Sequence, residues 1–207
     1  MKVELLFITS DAEKLIETAG RTSHLSFDKQ GKDTEKTFIR MLIKNGHLSV
    51  LEHAYATFRI SGVSRAFTHQ LVRHRLCSFT QQSQRYVNES NFNYIEPESI
   101  KNDQKAHLLF TKFMEEAKNI YSKLQKLGIK NEDARFVLPN AVESQIVVTA
   151  NFREWRHIIE LRGGPDAQWE IRNVVIEILK ILKKHVPTVF EDFEIDEENE
   201  IIKRAKI

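Results

Sequence analysis

Arg73-His74-Arg75-Leu76-Cys77-Ser78-Phe79-Thr80-Gln81-Gln82-Ser83-Gln84-Arg85 is the stretch whose reading decides the fold and the function together. It sets three guanidiniums, one imidazole and two serine hydroxyls within thirteen positions. From His53 to Asn88 there is no Asp or Glu, although 29 acids in 207 residues would place about five in a window of that size. The basic side chains here lack local carboxylate partners, so their expected counterions are the phosphates of a ligand. A guanidinium fork meets phosphate oxygens two at a time, and serine hydroxyls or backbone N–H groups fill the remaining acceptor sites.

Working outward, the motif is framed by regular elements. Upstream, His53 to Ile60 alternates, with Ala54, Ala56, Phe58 and Ile60 on one face, the pattern of a half-buried strand that Ser61-Gly62 should break. A helix from about Ser64 to Arg73 follows, then an irregular loop over Leu76 to Gln82 and a short strand at Ser83 to Val87. The motif thus sits on a loop between two regular elements, where binding residues are common. Farther out, Lys2 to Thr9 reads as a strand, and Ser10 with Glu13 as a capping box opening a helix. Asp33 caps a second helix that stops at Asn45-Gly46. After a polar stretch, His107 to Leu127 repeats Leu109, Phe113, Ala117, Ile120, Leu124 and Leu127 at helical spacing, an amphipathic helix with a core or subunit-interface stripe. Asn131 should cap a short helix to Leu138, Ser144 to Thr149 form a strand, and Asn151 begin a helix ending at Arg162 before Gly163-Gly164. Pro165-Asp166 should then open the last long helix, with Trp169, Val174, Ile178 and Leu182 as its stripe. The fold class this predicts is α+β, helix-rich, with a small mostly antiparallel sheet, as a single domain over 1–207.

Composition narrows the function. Net charge is only +2, so the basic character is local and favours a small anionic ligand over a nucleic acid. Cys77 is the one cysteine, the N-terminus does not read as a signal peptide, and no apolar run approaches the ~20 residues of a membrane span. The expected location is the cytoplasm, with no membrane partner. Seven glycines without a Gly-x-Gly pair or a Gly-Lys-Ser/Thr exclude the dinucleotide fingerprint and the P-loop. Among histidines 47, 53, 69, 74 and 157 no two fall on one helix face, His69 and His74 being five apart, and the acid-free window supplies no carboxylate ligand, so no metal is expected. The acidic run from Glu191 to Glu200 reads as a solvated tail.

The spacing Arg73-His74-Arg75, two residues, Ser78, four residues, Ser83, one residue, Arg85 resembles the signature of the flavin-dependent thymidylate synthases, with all six fixed positions present. Gly46-His47, Glu52-His53, Ala134 to Pro139, Asn151-Phe152-Arg153, Leu161-Arg162 and Ala167 to Glu170 look like family segments in family order, so roughly residues 45 to 175 are covered. The resemblance implies that fold and that reaction: reductive methylation of dUMP at C5 to dTMP, with methylenetetrahydrofolate as one-carbon donor and NADPH supplying hydride through FAD. It assigns FAD to Ser49, Arg73, His74, Arg75, Gln81, Asn151, Arg153 and His157. It assigns dUMP to Gln70, Arg73, Gln81, Gln82, Ser83, Gln84, Arg85, Arg135 and Arg162, with Arg162 at the uracil as the catalytic group. It also implies a homotetramer with shared active sites. The sequence departs from many members at Thr80-Gln81, where they carry Asn-Glu, and from some at Asp166, where they carry His.

Rival readings stay open at this stage. Ser83 reads as a nucleophile or as a phosphate ligand, Cys77 as a nucleophile or as a packed thiol, and Arg162 as a catalytic group or as a cation favouring its helix's negative end. A phosphate-gripping RNA module would bind oligonucleotides and be colourless. A flavin oxidoreductase acting on another substrate would turn over without dUMP.

Overall fold

The computed structural model describes residues 1–205; Lys206 and Ile207, the last two positions of the expected domain, lie outside the described residues. In chain order the elements are β1 (Lys2–Ile8), α1 (Ala12–Thr22), α2 (Thr34–Lys44), β2 (Tyr55–Ser64), α3 (Arg65–Leu71), β3 (Ser78–Gln81), α4 (Glu98–Lys101), α5 (Gln104–Lys126), α6 (Asn131–Ala134), β4 (Glu143–Asn151), α7 (Phe152–Arg162), α8 (Trp169–His185), α9 (Pro187–Phe190), β5 (Phe193–Asp196) and β6 (Ile201–Arg204). Short 3-10 turns cover Leu48–His53 and Arg135–Val137. The four-stranded sheet runs in the order β1-β2-β4-β3, and β5 and β6 form a separate antiparallel pair. This is the expected helix-rich α+β fold with a small antiparallel sheet.

The described residues group into two compact units. The larger comprises 3–60, 72–79 and, of the described residues, 147–205. Its core forms where the alternation of β2 predicts: Ala54, Ala56, Phe58 and Ile60 are fully buried. The Phe58 ring meets Trp155 of α7 edge-on at 5.1 Å, and the Trp155 indole N–H donates to the Ala56 carbonyl at 3.0 Å. This satisfies the one polar atom that burying a tryptophan brings with it. Val174, Ile178 and Leu182 bury the α8 stripe as expected. Asn151 caps α7, its side-chain oxygen accepting the Glu154 backbone N–H at 2.8 Å, a favoured residue at that position.

The smaller unit comprises 1–2, 61–71 and 80–146. Phe92, Met114, Ala117 and Val142 form its apolar cluster, with Tyr94 and Phe110 packed against it. Asp103 caps α5 by accepting from the backbone N–H groups of Lys105 and Ala106.

Several expectations are corrected. Ser61-Gly62 does not end β2, because Gly62 adopts a φ of 67°, open to glycine, and carries the strand on to Ser64. The short strand is β3, Ser78–Gln81, whereas Ser83 to Val87 is a turn closed by the Tyr86 and Val87 N–H groups on the Ser83 carbonyl. Helix α8 starts at Trp169, not at Pro165, because Gln168 supplies the cap from its side-chain oxygen. The Ser10–Glu13 capping box does not form: Glu13 instead accepts the N–H and hydroxyl of Thr188. Asp33 occupies the cap position of α2 but pairs with Lys36. On α5 the buried face is Met114, Ala117 and Tyr121, while Leu109 (71% exposed), Phe113 (55%) and Leu127 (78%) face outward, so of the expected stripe Ala117 is buried and most of the rest does not pack into the core. The acidic tail is ordered too, since Asp192 is buried against Arg156 and leads into the β5–β6 pair.

Candidate functional site

In the larger unit a cavity of about 1060 Å³ opens beside α7. The loop after Val72 brings Arg73, His74, Arg75 and Leu76 to it, α7 and its cap bring Asn151, Arg153, Glu154, Arg156, His157, Glu160, Leu161 and Arg162, the Leu48–His53 turn brings Leu48 and Glu52, and β6 brings Arg204. Six of the seven residues in the larger unit to which the resemblance assigns FAD are therefore gathered at one cavity. Ser49 is the exception: it lies on the turn between Leu48 and Glu52 but does not line the space.

Six guanidiniums face three carboxylates around this cavity. Four of the six are engaged: Arg153 with Glu52 at 2.6 Å, Arg156 with Asp192, Arg204 with Asp192 and Glu160, and Arg162 with His74. Arg73 and Arg75, both exposed, have no carboxylate partner among the described residues. Two unpaired guanidinium forks on an open, roomy cavity are a site for anionic oxygens, and bidentate phosphate contacts are what their geometry favours. The donor set therefore fits a phosphorylated flavin.

At the floor of the cavity His74 is buried, with the Arg162 Nε donating to its Nε2 at 3.1 Å and Glu154 Oε1 lying 3.5 Å from its Nδ1. His157 meets its ring edge-on with centroids 5.8 Å apart. Burial, then the Arg162 charge, then His157 bring the His74 imidazole down to about 4, so it is neutral at pH 7. Burial raises the Glu154 carboxyl, against the pull of His157 and Arg153. Cys77 is pushed up to about 12 by burial and by Glu154, which makes it a protonated thiol and not a nucleophile.

The residues assigned to dUMP fall mainly in the smaller unit. Gln70 is on α3, and Gln81 to Arg85 run from the end of β3 into the turn. Gln81 directs its amide at Thr68 Oγ1 (2.7 Å) and Ser144 Oγ. Gln82 donates to Glu89 at 3.0 Å, Gln84 is buried, and Ser83 Oγ accepts the Arg85 N–H. Arg85 pairs with Glu132 at 2.7 Å, and the Arg135 Nε donates to the Glu132 carbonyl. The acid-free window therefore does not leave Arg85 without a carboxylate: the fold delivers one from 47 residues away. Arg59 is likewise paired, with Glu4.

Sequence reasoning missed Glu52, Glu154, Arg156, Glu160 and Arg204. The cap at Asn151 places Glu154 in the first turn of α7, a signal that was present, whereas nothing in the tail pointed to Arg204.

A helix-rich α+β chain that gathers unpaired guanidiniums and a buried His–Arg contact at one cavity is a binder of phosphorylated small molecules equipped with a polar group at its floor. The chain belongs to the family described as thymidylate synthase complementing protein, whose model matches residues 4–188. It is 43% identical to a flavin-dependent thymidylate synthase of Corynebacterium efficiens, over 89% of this chain and 81% of that protein. It is 42% identical to that of Geobacter sulfurreducens, over 93% and 86%, and 48% identical to that of Pyrococcus abyssi, over 77% and 67%.

Proposed function

We propose that this chain is a flavin-dependent thymidylate synthase, acting as one domain that converts dUMP, methylenetetrahydrofolate and NADPH to dTMP, tetrahydrofolate and NADP. The observation that carries this reading is the cavity where Arg73 and Arg75 stand unpaired beside the His74–Arg162 contact, in a chain of this family. FAD, when bound, supplies the redox chemistry by relaying hydride from NADPH. Arg73, His74, Arg75, Asn151, Arg153 and His157 hold it, with Ser49 and Gln81 as the remaining assigned contacts. Gln70, Arg73, Gln81, Gln82, Ser83, Gln84, Arg85, Arg135 and Arg162 hold dUMP, and Ser83 and Arg85 take its 5′-phosphate, for which Arg85 exchanges Glu132. Arg162 carries the chemistry of the protein itself. Its Nε is held by His74, and its two terminal amino groups are left to stabilise the negative charge that develops on the uracil as C5 forms its new bond.

The exposed apolar stripe of α5 supports a homotetramer, since a stripe containing Leu109, Phe113 and Leu127 on a 23-residue helix calls for cover. The active sites of that assembly are shared between chains. A single protonated thiol agrees with a cytoplasmic enzyme, and no helix among the described residues is long and apolar enough to cross a membrane.

Two substitutions test the division of roles. Arg162→Ala is expected to lower turnover by about a hundredfold or more, the scale of losing a charge-stabilising donor, while the purified protein stays yellow. Ser83→Ala should mainly raise the dUMP KM, again with flavin retained. Loss of flavin in both variants would overturn the assignment.

A further inference from the structure

Helix α7 presents both ends of a chain of contacts. Glu154 lies in its first turn, Arg162 is its last residue, and His74 from the loop after Val72 lies between them. We propose, resting on the reading of the protein as a thymidylate synthase, that Glu154 is a positioning residue. Its carboxylate holds His74 as the Nδ1–H tautomer, and His74 in turn anchors the Nε of Arg162, so that the two terminal amino groups of that guanidinium face the substrate.

Donors and acceptors decide the tautomer of His74. The Arg162 Nε–H can only donate, so the His74 Nε2 beside it at 3.1 Å must offer its lone pair. A neutral imidazole then carries its proton on Nδ1, and the group facing Nδ1 is the Glu154 carboxylate at 3.5 Å. That separation is long for a hydrogen bond. With both side chains more than nine-tenths buried, it is an oriented attraction between a carboxylate and an N–H dipole in a low-dielectric setting, where such contacts are stronger than in water.

Glu154 is itself fixed, because its backbone N–H is the one that Asn151 accepts and its carboxylate sits at the positive end of α7. His157, one helical turn on, closes the remaining side of the ring at 5.8 Å. Arg162 makes no other side-chain hydrogen bond among the described residues, so releasing His74 would release Arg162. Glu154 acts through two intermediaries, which is the behaviour of a carboxylate that orients a histidine whose other nitrogen is at work.

The test begins with the unaltered holoenzyme labelled with 15N-histidine. His74 resonances, assigned by their loss in His74→Gln, must show a protonated Nδ1 and a bare Nε2 at pH 7; the opposite tautomer overturns the proposal without any variant. Glu154→Met, which fills the same volume without an acceptor, is expected to move these resonances toward a mixture of tautomers. It should also lower kcat on the order of tenfold, as outer partners of working histidines do, with the dUMP KM changed less than threefold and FAD retained. Glu154→Gln keeps an acceptor oxygen and should recover most of both. Unchanged nitrogen resonances in Glu154→Met, or a glutamine variant no better than the methionine one, would refute the role. Should the unaltered protein make no dTMP, the functional reading falls, and the nitrogen resonances still decide for or against Glu154.

Discussion

A buried histidine beside an arginine and a second histidine cannot be charged cheaply, and His74 shows what this does to the pH behaviour of the protein. Its folded-state value of about 4 lies below the ordinary 6.5, so between these pH values the unfolded chain binds a proton that the folded chain refuses. Stability due to this group is therefore full above about 6.5 and falls as pH drops toward 4, by at most about 1.4 kcal/mol per pH unit for one proton. The groups facing the ring are Arg162, His157 and Glu154, and burial moves the Glu154 carboxyl in the opposite direction, so it offsets part of the loss. Comparing urea midpoints of the unaltered protein and His74→Gln at pH 7, 5.5 and 4.5 isolates the imidazole: the unaltered protein should lose more. Parallel curves would contradict a buried neutral His74. At this scale the sequence was legible where chemistry is local, as in the thirteen residues from Arg73 to Arg85. It was illegible where a partner comes from far along the chain, as Glu132 does to Arg85 and Asp192 to Arg156.

Elements read best where one residue type has one structural use. Asn151 was expected to begin α7 and does so through its side-chain oxygen, and Gly46, at a φ of 72°, ends α2 as a left-handed stop should. Ser10 and Asp33 failed as caps because the carboxylates concerned found other donors: Glu13 took Thr188 from the far end of the chain, and Asp33 took Lys36. A capping pattern states what is possible locally, and tertiary competition selects. The dual position of Asn151, at the cap and in the cavity wall, yields a separable prediction. Asn151→Asp preserves the cap and should leave the melting temperature nearly unchanged while weakening FAD binding through the added negative charge. Asn151→Ala should lower stability by about 1 kcal/mol and FAD binding together. Equal flavin affinity in all three proteins, measured by fluorescence titration, would remove Asn151 from the cofactor site. The short strand was misplaced by five to six residues because Ser83-Gln84-Arg85 has neither alternation nor apolar content, whereas Ser78 to Gln81 pairs within the sheet.

For the whole molecule, the helix-rich α+β class and the order of most elements followed from periodicity and punctuation, and the family followed from six fixed positions. Periodicity could not tell which apolar stripe faces the chain's own core. On α5 most of the predicted stripe, Leu109, Phe113, Ile120 and Leu127, is exposed, and Ala117 is buried together with Met114 and Tyr121, which were not in it, because helical spacing shows that a helix has an apolar face but not which side the core takes. Nor could composition foresee that the acidic tail folds back through the buried Arg156–Asp192 pair, placing Arg204 at the cavity from beyond the family match, which ends at residue 188. The central claim concerns the reaction, and it is tested most directly by tritium release from dUMP labelled at C5, using purified protein with FAD, NADPH and methylenetetrahydrofolate beside controls that each omit one component. The account predicts release that requires every component. A folded protein that holds FAD but releases no tritium would contradict the assignment of dUMP as its substrate.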